Sequence, residues 1–95
     1  MASEIKSIAI PEEVIREAVL RTVRSRIEEI NQKLNDICTS MRYFEIKYGI
    51  DSERFYTKFV NGELGDDMDF FEWKATTAIY NELKDEKNVL IEAIG

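Results

Sequence analysis

The sequence predicts an all-α protein: a long helical hairpin or coiled coil with a short helix at the bend and a short extended N-terminal arm. Three observations carry that expectation. The run from Glu12 to Tyr48 contains neither Gly nor Pro. Its apolar residues recur at alternating intervals of three and four, which is the period of one helix face. The whole chain holds four Gly and one Pro in 95 residues, and scarce punctuation favours long elements over loops.

The elements follow in order as one helical domain, 1–95. Residues 1–10 read as the extended arm. Ile8 and Ile10 are spaced by two, as on one face of a strand. A residue before proline is pushed toward extended backbone, so Ile10 belongs outside the helix. The first helix is expected over 11–48. Pro11 suits its first position, where a missing N–H costs nothing. Glu12 and Glu13 then meet the positive end of the helix dipole. Gly49 stands where a left-handed cap residue is usual. Such a helix is about 57 Å long at 1.5 Å per residue.

Along it, Leu20, Val23, Ile27, Ile30, Leu34, Ile37, Met41, Phe44 and Tyr48 form an unbroken heptad seam. A seam of this length requires a partner helix. The partner is either the same helix of another chain or a later helix of this one. Leu20, Val23, Ile27, Ile30, Leu34 and Ile37 are the candidate oligomer seam. The β-branched residues favour d rather than a, unlike a parallel dimer, so antiparallel and intramolecular pairings both stay open.

A short helix is expected over 51–61. Asp51 can cap it, and Ile50 and Phe55 occupy the two positions of a hydrophobic staple. Asn61-Gly62 suits its end. An acidic turn follows, and Asp66 or Asp67 can cap a last helix over 67–94. Trp73, Thr76, Tyr80, Leu83, Lys87, Leu90 and Ile94 repeat at three and four there. Ile79 and Ile91 widen that stripe. Two long helices joined by a short one make an α-hairpin with a helical cap at its bend.

Composition excludes several chemistries. There is no His, hence no His-based acid–base pair, catalytic triad or His-ligated zinc. A single Cys excludes an internal disulfide or a Cys-rich metal knuckle. Cys38 is expected as a free buried thiol. No apolar run approaches a membrane span, and no signal-peptide pattern opens the chain, so a cytoplasmic protein is expected. Thirteen basic and 19 acidic residues give a net charge of −6. Residues 1–48 hold eight of each sign, and residues 49–95 hold five basic and 11 acidic. The whole excess therefore lies in the second half, where it would repel phosphates and suit a basic partner. A nucleic-acid partner is not expected.

Two clusters could carry function. Glu63, Asp66, Asp67, Asp69 and Glu72 fall within ten residues. They do not match a calcium loop, since Phe71 stands at its fifth position. Caps and solvated charge account for them, as does a surface for a basic partner. Nine of the ten aromatic residues lie between 43 and 73. They suit a local core that pins the short helix to the hairpin, or a partly exposed anchor for a partner. Arg16, Arg21, Arg24 and Arg26 crowd the start of the first helix, but Glu12, Glu13, Glu17, Glu28 and Glu29 neutralise them. Ile8-Ala9-Ile10-Pro11-Glu12-Glu13-Val14 looks like the strand-to-helix junction of a ribbon-helix-helix DNA binder. The turn that fold needs after about a dozen helical residues is missing. No nucleophile–base pair, Gly-rich phosphate loop or metal-ligand cluster is visible. The expectation is no catalytic residue, no metal, no cofactor and no enzyme.

The stretch from Phe44 to Trp73 carries a resemblance. Lys47-Tyr48-Gly49 with Phe55, then Gly62-Glu63-Leu64-Gly65-Asp66-Asp67 and Phe70-Phe71-Glu72-Trp73, resembles a group of small archaeal and bacterial helical proteins. Members are described as antitoxins of toxin–antitoxin systems or are uncharacterised. The N-terminal Ile-Pro-Glu-Glu and the heptad helix are also similar to that group. The resemblance implies stoichiometric binding: an acidic, aromatic-flanked end covering the basic site of a small toxin. Glu63, Asp66, Asp67, Phe70 and Trp73 are the candidate partner-binding residues. The alternatives are a homo-oligomeric coiled-coil structural protein, a dimer or higher, and a DNA-binding regulator acting through the N-terminal arm.

Overall fold

The computed structural model describes residues 9–95. Three helices make up its elements: α1 (Glu12–Tyr48), α2 (Ser52–Val60) and α3 (Met68–Ile94). No strand occurs among the described residues. The result is the expected hairpin with a short middle helix. Its extents are 63 × 24 × 18 Å. The expected extended arm falls mostly outside the described residues. Ala9 and Ile10 lie outside the helix and are exposed.

Pro11 takes the N-cap position of α1, with φ −57° and ψ 139°, rather than the first helical turn. The reason is its ψ. A proline ring fixes only φ, and the extended ψ keeps this residue out of the helix while its carbonyl already accepts from Val14 N at 3.0 Å. Gly49 ends α1 with φ 67° and ψ 30°, and its N–H donates to the Glu45 carbonyl at 2.8 Å. That left-handed conformation is open to glycine at little cost.

α1 and α3 run antiparallel. Lys47 pairs with Asp69 near the bend and Arg26 pairs with Glu86 farther along. The heptad seam therefore finds its partner in the same chain. Ile30 is fully buried, and Leu20, Val23, Ile27, Leu34 and Ile37 are half-buried. Only one partner helix lies over the seam, so each knob is covered on one side. Of the two pairings the spacing left open, the hairpin supplies the intramolecular one, with α3 packed along α1. Cys38 departs from expectation too. It is exposed, because it follows the seam residue Ile37 and is swung off the contact line by about 100°.

The main core lies at the bend. Phe44, Phe55 and Trp73 are buried, with Tyr48, Ile50, Tyr56, Phe59, Leu64 and Phe70 packed around them. Asp51 caps α2, its carboxylate accepting from Arg54 N at 2.8 Å. A second cap comes from α1: the Glu45 carboxylate accepts from Ser52 N at 2.8 Å. At the other end, Glu63 N donates to Lys58 O and Gly62 N to Phe59 O. This is a Schellman closure, with Gly62 at φ 74°. Asp67 caps α3 by accepting from Asp69 N at 2.9 Å. The short helix is thus fixed at both ends before any side chain of its apolar face is counted.

Candidate functional site

The bend is where aromatic packing, charge and exposed apolar surface converge. Trp73 is at its centre. The Phe55 ring stacks on it at a centroid distance of 3.8 Å and an interplanar angle of 4°. Phe44 and Tyr48 lie near-parallel to it at 5.6 Å and 5.8 Å. Two aromatics of α1 and one of α2 thus meet the same indole of α3. The indole N–H is also satisfied, donating to Ser52 Oγ at 2.8 Å in the interior. No buried side-chain polar atom among the described residues lacks a partner.

A polar lock closes the α1–α3 side. Asp69 Oδ2 accepts from Lys47 Nζ at 2.7 Å and from Tyr48 OH at 2.6 Å. The Lys47 ammonium, and then the Tyr48 hydroxyl, hold the Asp69 carboxyl below its ordinary value of 3.8. Asp69 in turn raises Lys47 to about 12 and pushes Tyr48 above 10.0. Its place in the first turn of α3 adds a favourable dipole contact. Farther along, Arg26 donates to both Glu86 and Glu29. Arg26 lowers both carboxyls from their ordinary values.

The sequence candidates separate under this geometry. Glu63, Asp66 and Asp67 are exposed and sit together in the turn between α2 and α3. Phe70 is half-buried against Tyr48 and Phe55. Trp73 is 0% exposed. It cannot touch a partner while the bend is folded, so its part is to hold the surface and not to line it. Residues outside the candidate set supply the exposed apolar area instead. Met68 is 80% exposed and Phe71 49%. Val60 is also exposed, and Phe71 meets Phe59 edge-on at 5.4 Å. Their positions held a usable signal: Met68 and Phe71 fall off the three-four stripe that runs through Trp73, Thr76 and Tyr80.

Beside the bend, below α2, the α1–α3 crease opens into a groove of about 800 Å³. Cys38, Arg42, Tyr56, Asn81, Lys84 and Asp85 are among its lining residues. Its charges are mixed, with Arg42 and Lys84 beside Glu45, Asp51, Glu53 and Asp85. No group of three or more potential metal ligands occurs among the described residues.

The fold and the site together define a class: an antiparallel α-hairpin clasped by a short helix over an aromatic core. No family model, curated protein or solved structure matches the chain.

Proposed function

We propose that the chain is a non-catalytic protein-binding module, and that its bend docks a basic protein partner. The resemblance in the Phe44–Trp73 stretch supports a small toxin as that partner, with the chain in the role of its antitoxin. The observation that carries the reading is a juxtaposition. Exposed Glu63, Asp66 and Asp67 lie in sequence beside exposed Val60, Met68 and Phe71, on a bend held by caps at both ends of α2 and by a closed aromatic core. An apolar centre with a charged margin is the usual anatomy of a protein interface. A rigid frame reduces the ordering cost of binding. The excess of acidic residues after Tyr48 would speed encounter with a basic surface.

The test is co-purification with the product of the adjacent gene. Glu63→Lys/Asp66→Lys reverses two exposed charges that cap no helix. It should weaken capture about tenfold or more at low salt, with Trp73 emission unchanged. Capture at the wild-type level by the double variant would remove this surface from consideration.

A further inference from the structure

At the bend, α3 is covered on two sides. Its buried residues, Trp73 and Thr77, mark the inward face. Rings of α1 and of α2 both pack on Trp73, and Phe71 reaches α2 through Phe59. The sector opposite is not polar, as a solvated helix face is. Met68, Phe71, Ala75 and Ile79 follow one another there at intervals of three, four and four. At 100° per residue they share about 80° of helix surface, and Ala75 lies about 180° from the midline of Trp73 and Thr77. Met68 is 80% exposed, Phe71 49% and Ile79 47%, and Ala75 is exposed as well. The stripe thus carries the exposed apolar surface of the bend about 17 Å along α3.

The charges around it have one sign. Glu63, Asp66 and Asp67 precede the stripe, Glu72 stands on the flank away from Phe71, and Glu82 closes it three residues past Ile79. Lys74 is the one basic residue between Met68 and Glu82. It is half-buried and points between Phe70 and Phe71, the two rings that meet α2. A second copy therefore finds no complement. Laid antiparallel and centred on Ala75, it brings Glu82 against Met68 and the neighbouring Asp67. Laid parallel, it sets Glu82 against Glu82. Like charges so placed oppose association.

We propose that the outer face of α3, from Met68 to Glu82, docks an amphipathic helix of a partner protein, one whose apolar stripe is flanked by Lys or Arg. The inference rests on the reading of the bend as a protein-binding surface, and it names the element of the partner that the surface takes. Met68, Phe71 and Ala75 stand at i, i+3 and i+7, the anchor spacing of helix docking. Ala75 at the middle of the stripe, with half-buried Ala78 at its edge, lets a second helix axis approach closely. The acidic ends and flank select the sign of its charge.

The probes are labelled synthetic peptides of about 18 residues, long enough to form a helix on the surface. One has Leu at helical spacing among Lys, one has the same composition with Leu at every second position, and one has Glu in place of Lys. By fluorescence anisotropy with the full chain, the first should bind at least about tenfold more tightly than either control. No binding, or equal binding of the strand-spaced peptide, would overturn the proposal. Ala75→Gln/Ile79→Gln keeps net charge and helix propensity, and should weaken the first peptide about tenfold or more with Trp73 emission unchanged. Glu72→Gln/Glu82→Gln should weaken it too and flatten its salt dependence. Full affinity in both variants would also overturn the proposal. A dimer of the free chain that Ala75→Gln/Ile79→Gln abolishes in sedimentation would assign the stripe to a second copy instead. Capture of the adjacent gene's product separates the two readings. Loss with Glu63→Lys/Asp66→Lys but full capture by Ala75→Gln/Ile79→Gln overturns the helix site and leaves the bend as the docking surface. Full capture by both variants overturns both.

Discussion

Ser52 and Trp73 are separated by 21 positions in the chain, yet one buried hydrogen bond joins them. Ser52 is 3% exposed and Trp73 0%, so water cannot replace a lost partner. Ser52→Ala leaves the indole N–H without an acceptor and should cost about 1–3 kcal/mol. Trp73→Ala removes the ring on which three helices meet and should cost about 3–5 kcal/mol. Urea unfolding followed by circular dichroism measures both. A Ser52→Ala variant as stable as wild type would mean that the indole N–H finds another acceptor. Asp69 sets a pH signature at the same scale. Its carboxyl is depressed below 3.8, so its contribution is present above that value and fades as pH falls through the lower folded value. Lys47 and Tyr48 are raised above 10.5 and 10.0. Their contributions hold below those values and are lost as pH rises past them. Asp69→Asn should therefore flatten the stability profile at both the acid and the alkaline edge. A profile with the wild-type edges would show that the lock adds nothing to folding.

At the scale of elements, α2 depends on devices at its ends. It is nine residues long, too short to persist alone. Asp51→Ala removes the carboxylate that accepts from Arg54 N and should cost about 0.5–2 kcal/mol. Gly62→Ala meets open space, so its penalty is purely that of a side chain at φ 74°, about 1–2 kcal/mol. Thermal melts should show each loss alone and near-additivity in the pair, since the caps share no partner. Much of this element was legible from local chemistry. Asp51, the Ile50–Phe55 staple and the Asn61-Gly62 ending all act within a few residues of themselves. The Glu45 cap was not legible, because it reaches α2 from the preceding helix across a turn whose path only the fold defines. The same limit governs the candidate site. Heptad spacing located a seam but could not say which chain would cover it, and aromatic density located the bend core without separating buried Trp73 from exposed Phe71. Burial of a given ring depends on how α2 lies across α3, which no local spacing encodes.

Over the whole molecule, cover is uneven along the long axis. The bend has three helices around a closed core, the middle has two helices with Ile30 buried between them, and the far end has α1 alone. Opening free energy follows buried apolar contact, so amide exchange should be graded in that order. Protection should be greatest over 44–48, 52–59 and 73–77, lower through the middle of α1 and α3, and least over 12–19. This gradient also gives a readout for docking at the bend. If a basic partner docks on the bend, its addition should slow exchange around Val60, Glu63 and Phe71 and leave 12–19 as it was. Exchange with and without the partner therefore reads whether the bend is the surface it covers. Protection that rose together at both ends on adding the partner would mean that the hairpin responds as one cooperative unit, and would contradict the independence expected from the 63 Å length and from Ile30 as the buried residue of the middle section.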